Sequence, residues 1–277
     1  MFASTVIVFR EVLEAALIIG IVAVATRGLP YRARWIYAGI ASGIAGSAVV
    51  AMLTERISAL ADGSGQELFN AGVLGLAVLM LAWHNIWMSR HAKELIRDAK
   101  QLGAAVTSGD REISALAIVI ALAVLREGSE TVLFLYGLIL GGQQTLGSIA
   151  LGSCMGLVLG ATAGFVLYAG LISIPIRWFF SVTSALILFL AASMASQMAR
   201  FLVQADKLPS LADPVWDISD VLSDRSPIGL LLHSLVGYDA RPSGMQLAFY
   251  LASLTLIITG MLLSGRSSST QSERKYS

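Results

Sequence analysis

A single cysteine, Cys154, in 277 residues rules out an intrachain disulfide and leaves the redox compartment unwritten. Three histidines leave no paired set suited to a haem. No nucleophile motif and no phosphate-cradling glycine loop occurs either. Charged residues are scarce at 13%, and the formal net charge of +1 conceals charges segregated by position, so no nucleic-acid partner is expected. What the chain has in quantity is apolar surface: 56% of its residues are hydrophobic, with a mean hydropathy of +0.75. Apolar runs of about twenty residues recur along most of it, the length needed to cross a bilayer as a helix. The fold class read from this is an all-α polytopic membrane protein in contact with the lipid bilayer.

Seven transmembrane helices are predicted, at about 4–26, 35–54, 68–88, 113–140, 148–172, 178–198 and 245–263. The first run lacks a basic n-region and a small-residue cleavage site, and it reads as a span rather than a removable leader. With the N-terminus outside, twelve Lys and Arg fall inside and five outside, which favours N-out/C-in. The segment 89–112 reads as a solvated helical extension of the third span, with a basic stripe at 90, 93, 97 and 100. An outside segment at about 200–243 holds six aspartates and a short apolar stretch, 228–236, expected to be a helix packed on the bundle or lying at the interface. Asp217, Asp220 and Asp224 have a spacing that can form one acidic helix face. The alternatives there are ordinary solvated acids and caps, or a negative vestibule concentrating cations. Residues 266–277 read as a disordered tail.

Two R-E-x-x-E stretches stand inside the apolar runs: Arg10-Glu11-Val12-Leu13-Glu14 and Arg126-Glu127-Gly128-Ser129-Glu130. On a helix, the arginine and both glutamates of each fall on one face. A charge at the centre of a membrane helix costs about 2.5–3.5 kcal/mol on insertion scales, so such groups face a bundle interior and pair. Each motif has two acids and one base, which leaves two negative charges over both copies. Three spans separate the starts of the motif helices, so these run in opposite directions. Gly39, Gly43 and Ser47 in the second span, and Gly152, Gly156, Gly160 and Gly164 in the fifth, are matching small-residue stripes. The whole reads as one domain over 1–277, a 3+3 inverted repeat (about 1–88 and 113–199) followed by one C-terminal helix. Glu11, Glu14, Glu127 and Glu130 then meet near the bilayer midplane as hard oxygen donors for a cation. Arg10 and Arg126 hold the rotamers of the glutamates, Arg10 with Glu14 at i, i+4.

Other candidates are accessory. Met80, His84 and Met88 share a face, as do Met194 and Met198. Packing explains the methionines better than a soft-metal path, and His84 reads first as a helix–helix hydrogen-bond partner. Tyr136 and Ser129 can add oxygens near the second motif. Glu67 and Asn70 stand at the outer end of the third span, and Asp217 and Asp220 in the outside segment.

The two motifs, in the first and fourth spans of seven, resemble the oxidase-dependent high-affinity iron permeases of fungi and their bacterial counterparts. The outside segment is similar as well, in Trp216-Asp217-Ile218-Ser219, Ser226-Pro227-Ile228-Gly229, Leu235-Val236-Gly237-Tyr238 and Arg241-Pro242-Ser243. The chain departs from that family at Val12, where glycine is frequent, and at Asn70, where many relatives carry glutamate. The resemblance implies a compact permease of the bacterial inner (plasma) membrane importing iron, ferric favoured and ferrous allowed. The motif glutamates would be its ligands, with iron as substrate and no resident cofactor. It also implies a periplasmic or extracellular partner, an iron-binding protein or a ferroxidase- or peroxidase-like one. The competing readings are a metal-dependent membrane enzyme or redox subunit, and a permease for another hard divalent cation such as manganese.

Overall fold

The computed structural model describes residues 1–60, 66–140, 145–169, 176–224 and 226–273. Eight helices and no strand occur among the described residues: α1 (Phe2–Ala25), α2 (Arg32–Leu60), α3 (Gln66–Ser108), α4 (Ser114–Leu140), α5 (Leu146–Tyr168), α6 (Ile176–Gln204), α7 (Pro227–Val236) and α8 (Gly244–Glu273). Stretches 32–54, 66–87, 146–168, 182–204 and 244–263 are long and apolar enough to cross a membrane. Helices α1 and α4 are also long enough, at 24 and 27 residues, but each carries three charged motif residues. α3 continues as one helix through Ser108, as expected from sequence, but the extension is not wholly solvated: Ala99 and Val106 are buried against Val22 and Leu116. α8 runs on through Glu273, so residues 266–273 are helical where the sequence suggested a disordered tail. Large apolar side chains point outward, among them Trp83 (73% exposed), Leu79 and Leu256. So much greasy outer surface suits lipid and not water.

The glycine stripes decide the packing. A Cβ on Gly152 would strike Met1 and Ser4, one on Gly156 Thr5 and Phe9, one on Gly160 Phe9 and Val12, and one on Gly164 Ala16. The partners advance together, so α5 runs parallel to α1 at backbone-contact distance. In the same way Gly39 meets Ala117 and Ile120, Gly43 meets Ala121 and Val124, and Gly46 meets Leu125, so α2 runs parallel to α4. Gly28, at φ 97°, sits in the turn that reverses the chain between α1 and α2. With α1 antiparallel to α2, and α2 parallel to α4, α1 and α4 are antiparallel. Each half thus lends its second helix to the first helix of the other. α3 and α6 pack on one another, and α8 covers both.

Two apolar clusters form the core. One joins Ala3, Ile7, Leu74, Leu81, Phe134, Ile187, Met194 and Ile257; the other joins Val22, Ala99, Val106, Leu116 and Ile120. In α1, α3 and α4 alike, the motif residues and His84 fall between the residues given to one cluster and those given to the other. A polar layer is therefore clamped between two dry ones.

Residues 215–224 and 237–243 form a clasp rather than a helix. Val215 N–H donates to Pro242 O at 2.9 Å and Ile218 N–H to Ala240 O at 3.1 Å. Tyr238 Oη donates to Leu222 O at 2.7 Å, and Asp224 accepts from Ala240 N–H at 2.9 Å. These long-range ties hold 215–224 in turns, so Asp217, Asp220 and Asp224 do not share a helix face, which corrects that sequence expectation. The short helix α7 does form, capped by Ser226 Oγ on Gly229 N–H at 2.9 Å, with Pro227 in its first turn and Gly237 at φ 74° as its stop. Ser243 and Gln246 make a reciprocal capping box at the start of α8, at 2.9 and 3.3 Å.

Because the α1–α5 contact is backbone-close, Gly156→Ala should lower stability in detergent by about 1–3 kcal/mol. Gly72→Ala, with nothing within 4 Å of the added carbon, should be neutral or gain up to about 1 kcal/mol. Thermal unfolding of both variants checks this, and equal tolerance would refute the close approach.

Candidate metal centre

Glu11 lies near the middle of α1 and Glu127 near the middle of α4, and the antiparallel crossing of those helices brings the motifs face to face. Arg10 is fully buried, with Nε 2.9 Å from Glu14 Oε1 and Nη1 3.5 Å from Glu11 Oε1. The second motif repeats the pattern: Arg126 Nε lies 3.2 Å from Glu130 Oε1 and 3.7 Å from Glu127 Oε1. Both arginines therefore reach the glutamate one turn on, as the i, i+4 spacing allows.

The two copies differ in their surroundings. Arg10 has no exposure, whereas the Arg126 side chain is 38% exposed and lies over the Trp87 ring, 4.4 Å from its centre. The third residue of each motif differs as well. In the first, Val12 fits against Gly160 of α5; in the second, Gly128 is the small partner, with Ser47 Oγ 2.1 Å from where its Cβ would stand. Bulk on one side is matched by its absence on the other, which explains how Val12 is accommodated where the similar family often has glycine.

His84 of α3 enters this layer from a third helix. Its Nε2 stands 3.4 Å from Glu14 Oε2, and its Nδ1 touches Glu130 Oε2. The imidazole thus bridges the two motifs. One ligand atom each from Glu11, His84, Glu127 and Glu130 lies within 4.8 Å of the others. Glu11 Oε2 and Glu127 Oε2 are buried and have no hydrogen-bond donor among the described residues. Unpaired carboxylate oxygens in a dry layer are costly unless something positive meets them.

The accessory candidates are spread more widely. Ser129 Oγ donates to Leu125 O of its own helix at 2.6 Å. Tyr136 is half-buried, six residues beyond Glu130 on α4. Glu67 is exposed in the first turn of α3, seventeen residues or about 25 Å of helix from His84. Met80 packs beside the first apolar cluster and Met194 belongs to it, as filler; the Met88 side chain lies outside the described residues. Asp220 is exposed in a turn. Asp217 closes the clasp: it accepts from Ser219 Oγ at 2.6 Å and Ser219 N–H at 3.1 Å, and pairs with Arg241 Nε at 3.0 Å.

Sequence reasoning passed over Asn85, 1% exposed, whose Nδ2 donates to Ser184 O at 3.1 Å and ties α3 to α6 beside His84. It also passed over Trp87. An amide following a histidine inside an apolar run was the available signal for the first. The arginine stacked on Trp87 comes from a distant helix and left none.

Two openings reach the layer. A cleft of about 790 Å³ between α1, α2, α4 and α5 has Glu11 and Glu127 in its wall and continues past Ala23 to Arg32 and Tyr168. A second, of about 470 Å³, lies between α3 and α4 and is lined by Trp83, His84, Trp87, Arg126 and Glu130.

A helical membrane protein with paired acid–arginine faces at its centre is the class that this architecture defines. The chain belongs to the iron permease FTR1 family, whose model matches residues 1–270. It is 32% identical over 280 residues to a ferrous iron permease EfeU of Escherichia coli O6:H1, covering 98% of this chain and 99% of that one. It is likewise 32% identical to the protein of that name from Shigella sonnei, over 98% and 99% of the two chains. With the one from Yersinia pestis it shares 30% over 90% and 89%. No solved structure matches the chain at a significant level.

The Ser219 hydroxyl and N–H and the Arg241 guanidinium hold the Asp217 carboxyl down at about 2, below its ordinary 3.8. A depressed carboxylate contributes fully above its unfolded value and loses that contribution as pH falls through the folded one. Trp216 fluorescence, read with the other tryptophans replaced by phenylalanine, should be flat from neutral pH to about 4 and change between about 4 and 2. Asp217→Asn should show the acid signal already at pH 7. An identical trace in that variant would dismiss the clasp.

Proposed function

We propose that this chain imports ferrous iron across the bacterial inner (plasma) membrane, with Glu11, Glu14, Glu127 and Glu130 as the seat in the path. The observation that carries the reading is the meeting of four carboxylates, two with unpartnered buried oxygens, between two clefts in a lipid-facing bundle. Family membership supports permeation of iron over catalysis, and the relatives carry the name ferrous iron permease. Charge supports the same oxidation state, though the resemblance alone favoured ferric iron. Four carboxylates and two guanidiniums sum to −2 with His84 neutral, which a divalent ion cancels and a trivalent ion overshoots in a low-dielectric layer.

In this reading α1 and α4 are spans as well, giving seven, N-out and C-in, with the motif charges neutralised inside the bundle. The cleft between α1, α2, α4 and α5 then leads along α1 toward the cytoplasmic side, and the clasp of 215–243 faces the periplasm. An iron-binding or ferroxidase- or peroxidase-like protein on that side would present the ion.

Proteoliposomes carrying the purified protein test this. They should accumulate ⁵⁵Fe²⁺ in preference to ⁵⁵Fe³⁺, and Glu127→Gln should cut uptake about tenfold or more at unchanged insertion, the effect of losing about 1.4 kcal/mol of ion stabilisation. Undiminished uptake by Glu127→Gln would remove the reading. Preference for Fe³⁺ or Mn²⁺ would replace the ion.

A further inference from the structure

We infer that His84 is a ligand of the transported ion and that Glu14 acts through it, as the positioning carboxylate behind the imidazole. The inference rests on the ion seat proposed above and assigns unequal roles within it.

Glu11, Glu127 and Glu130 each bring a carboxylate oxygen into a space 4.8 Å across, and the fourth atom within that span is a ring nitrogen of His84. Glu14 is engaged elsewhere. Its Oε1 is held by Arg10 Nε at 2.9 Å, and its Oε2 faces His84 Nε2 at 3.4 Å, a gap that a small side-chain movement closes to a hydrogen bond. The geometry is that of a carboxylate–histidine–metal relay. Glu14 takes the Nε2–H and so fixes the tautomer; Nδ1 touches Glu130 Oε2 directly, and an ion seated between the two would take the Nδ1 lone pair and the Glu130 oxygen together. Arg10 completes the chain by locking Glu14. A second observation is the state of the neighbouring acids: the His84 side chain is 3% exposed, and Glu11 Oε2 and Glu127 Oε2, buried in the same layer, have no donor among the described residues.

The consequence is selectivity. Three carboxylates alone describe a seat that Mg²⁺ or Ca²⁺ would also accept. One imidazole shifts the set toward first-row transition metals, with Fe²⁺ above Mn²⁺ in intrinsic affinity. The second motif has no equivalent: Glu130, the counterpart of Glu14, lies in the seat itself. The seat is thus asymmetric although the helices around it are related by a two-fold pattern.

Mn²⁺ bound to the full-length protein in nanodiscs, read by pulsed EPR, tests the assignment directly. The wild type should show nitrogen modulation from a coordinated imidazole, and ¹⁵N-histidine labelling should change it from the ¹⁴N to the ¹⁵N pattern without any substitution. His84→Gln should lose the modulation and no longer favour Fe²⁺ over Mg²⁺ in competition. Glu14→Gln should keep the modulation but bind about 10–100-fold more weakly, the usual loss when an orienting partner is removed. Bound Mn²⁺ without nitrogen modulation in the wild type overturns histidine ligation and leaves the carboxylate seat standing. Modulation that persists in His84→Gln overturns it as well. Mn²⁺ binding by Glu127→Gln equal to wild type would sink the seat itself.

Discussion

Burying charge without water governs this molecule. Six motif residues sit at the mid-height of helices whose outer faces are lipid-compatible, and their ionised forms persist only if each finds opposite charge within a few ångströms. Arg10 with Glu14 and Arg126 with Glu130 meet that demand within single helices. The remaining acids cannot be satisfied locally. The packing of α1, α3 and α4 brings them into one layer, where His84 bridges Glu14 and Glu130 and Glu11 and Glu127 keep an oxygen without a donor among the described residues. Apolar clusters on either side hold the layer in place and confine its access to the two clefts, which strengthens the buried ion pairs and raises the cost of leaving one unmade.

That layer can assemble only because the helices around it come unusually close. The small-residue stripes of α2 and α5 remove the side chains that would hold α4 and α1 at ordinary separation. The two halves interlock as a result, each completing the packing of the other's motif helix. Neither half has a closed core without its partner. A displacement of α5 against α1 would be felt at Val12, directly beside Glu11, so the helix packing and the motif layer share one set of backbone contacts.

The departures from two-fold likeness are informative. Arg10 is sealed while Arg126 borders a cleft and lies on Trp87, and His84 enters the motif layer from α3 alone. Unequal burial of otherwise matching arginines makes the two sides of the layer differ. The segment between α6 and α8 that resembles the permease family carries structural duties: Asp217, Ser226, Gly237, Tyr238 and Ser243 are each a cap, a stop or a tie. Asp217 and Asp224 tie the clasp together, so chain geometry accounts for those two acids.

By itself the sequence determined whatever depends on neighbours within a helical turn. The apolar runs, the Arg10–Glu14 spacing, the single polar face of each motif helix and the capped short helix at Pro227 follow from periodicity and local hydrogen bonding. The antiparallel relation of the two motif helices follows from counting crossings. Tertiary structure alone decided which helix each glycine stripe would meet, that Asp217, Asp220 and Asp224 would lie in turns, and that His84 would stand between Glu14 and Glu130. Those outcomes join residues tens of positions apart, and no local pattern encodes the rotation of one helix against another. That rotation is set by the sum of close contacts and by the need to neutralise every buried charge at once.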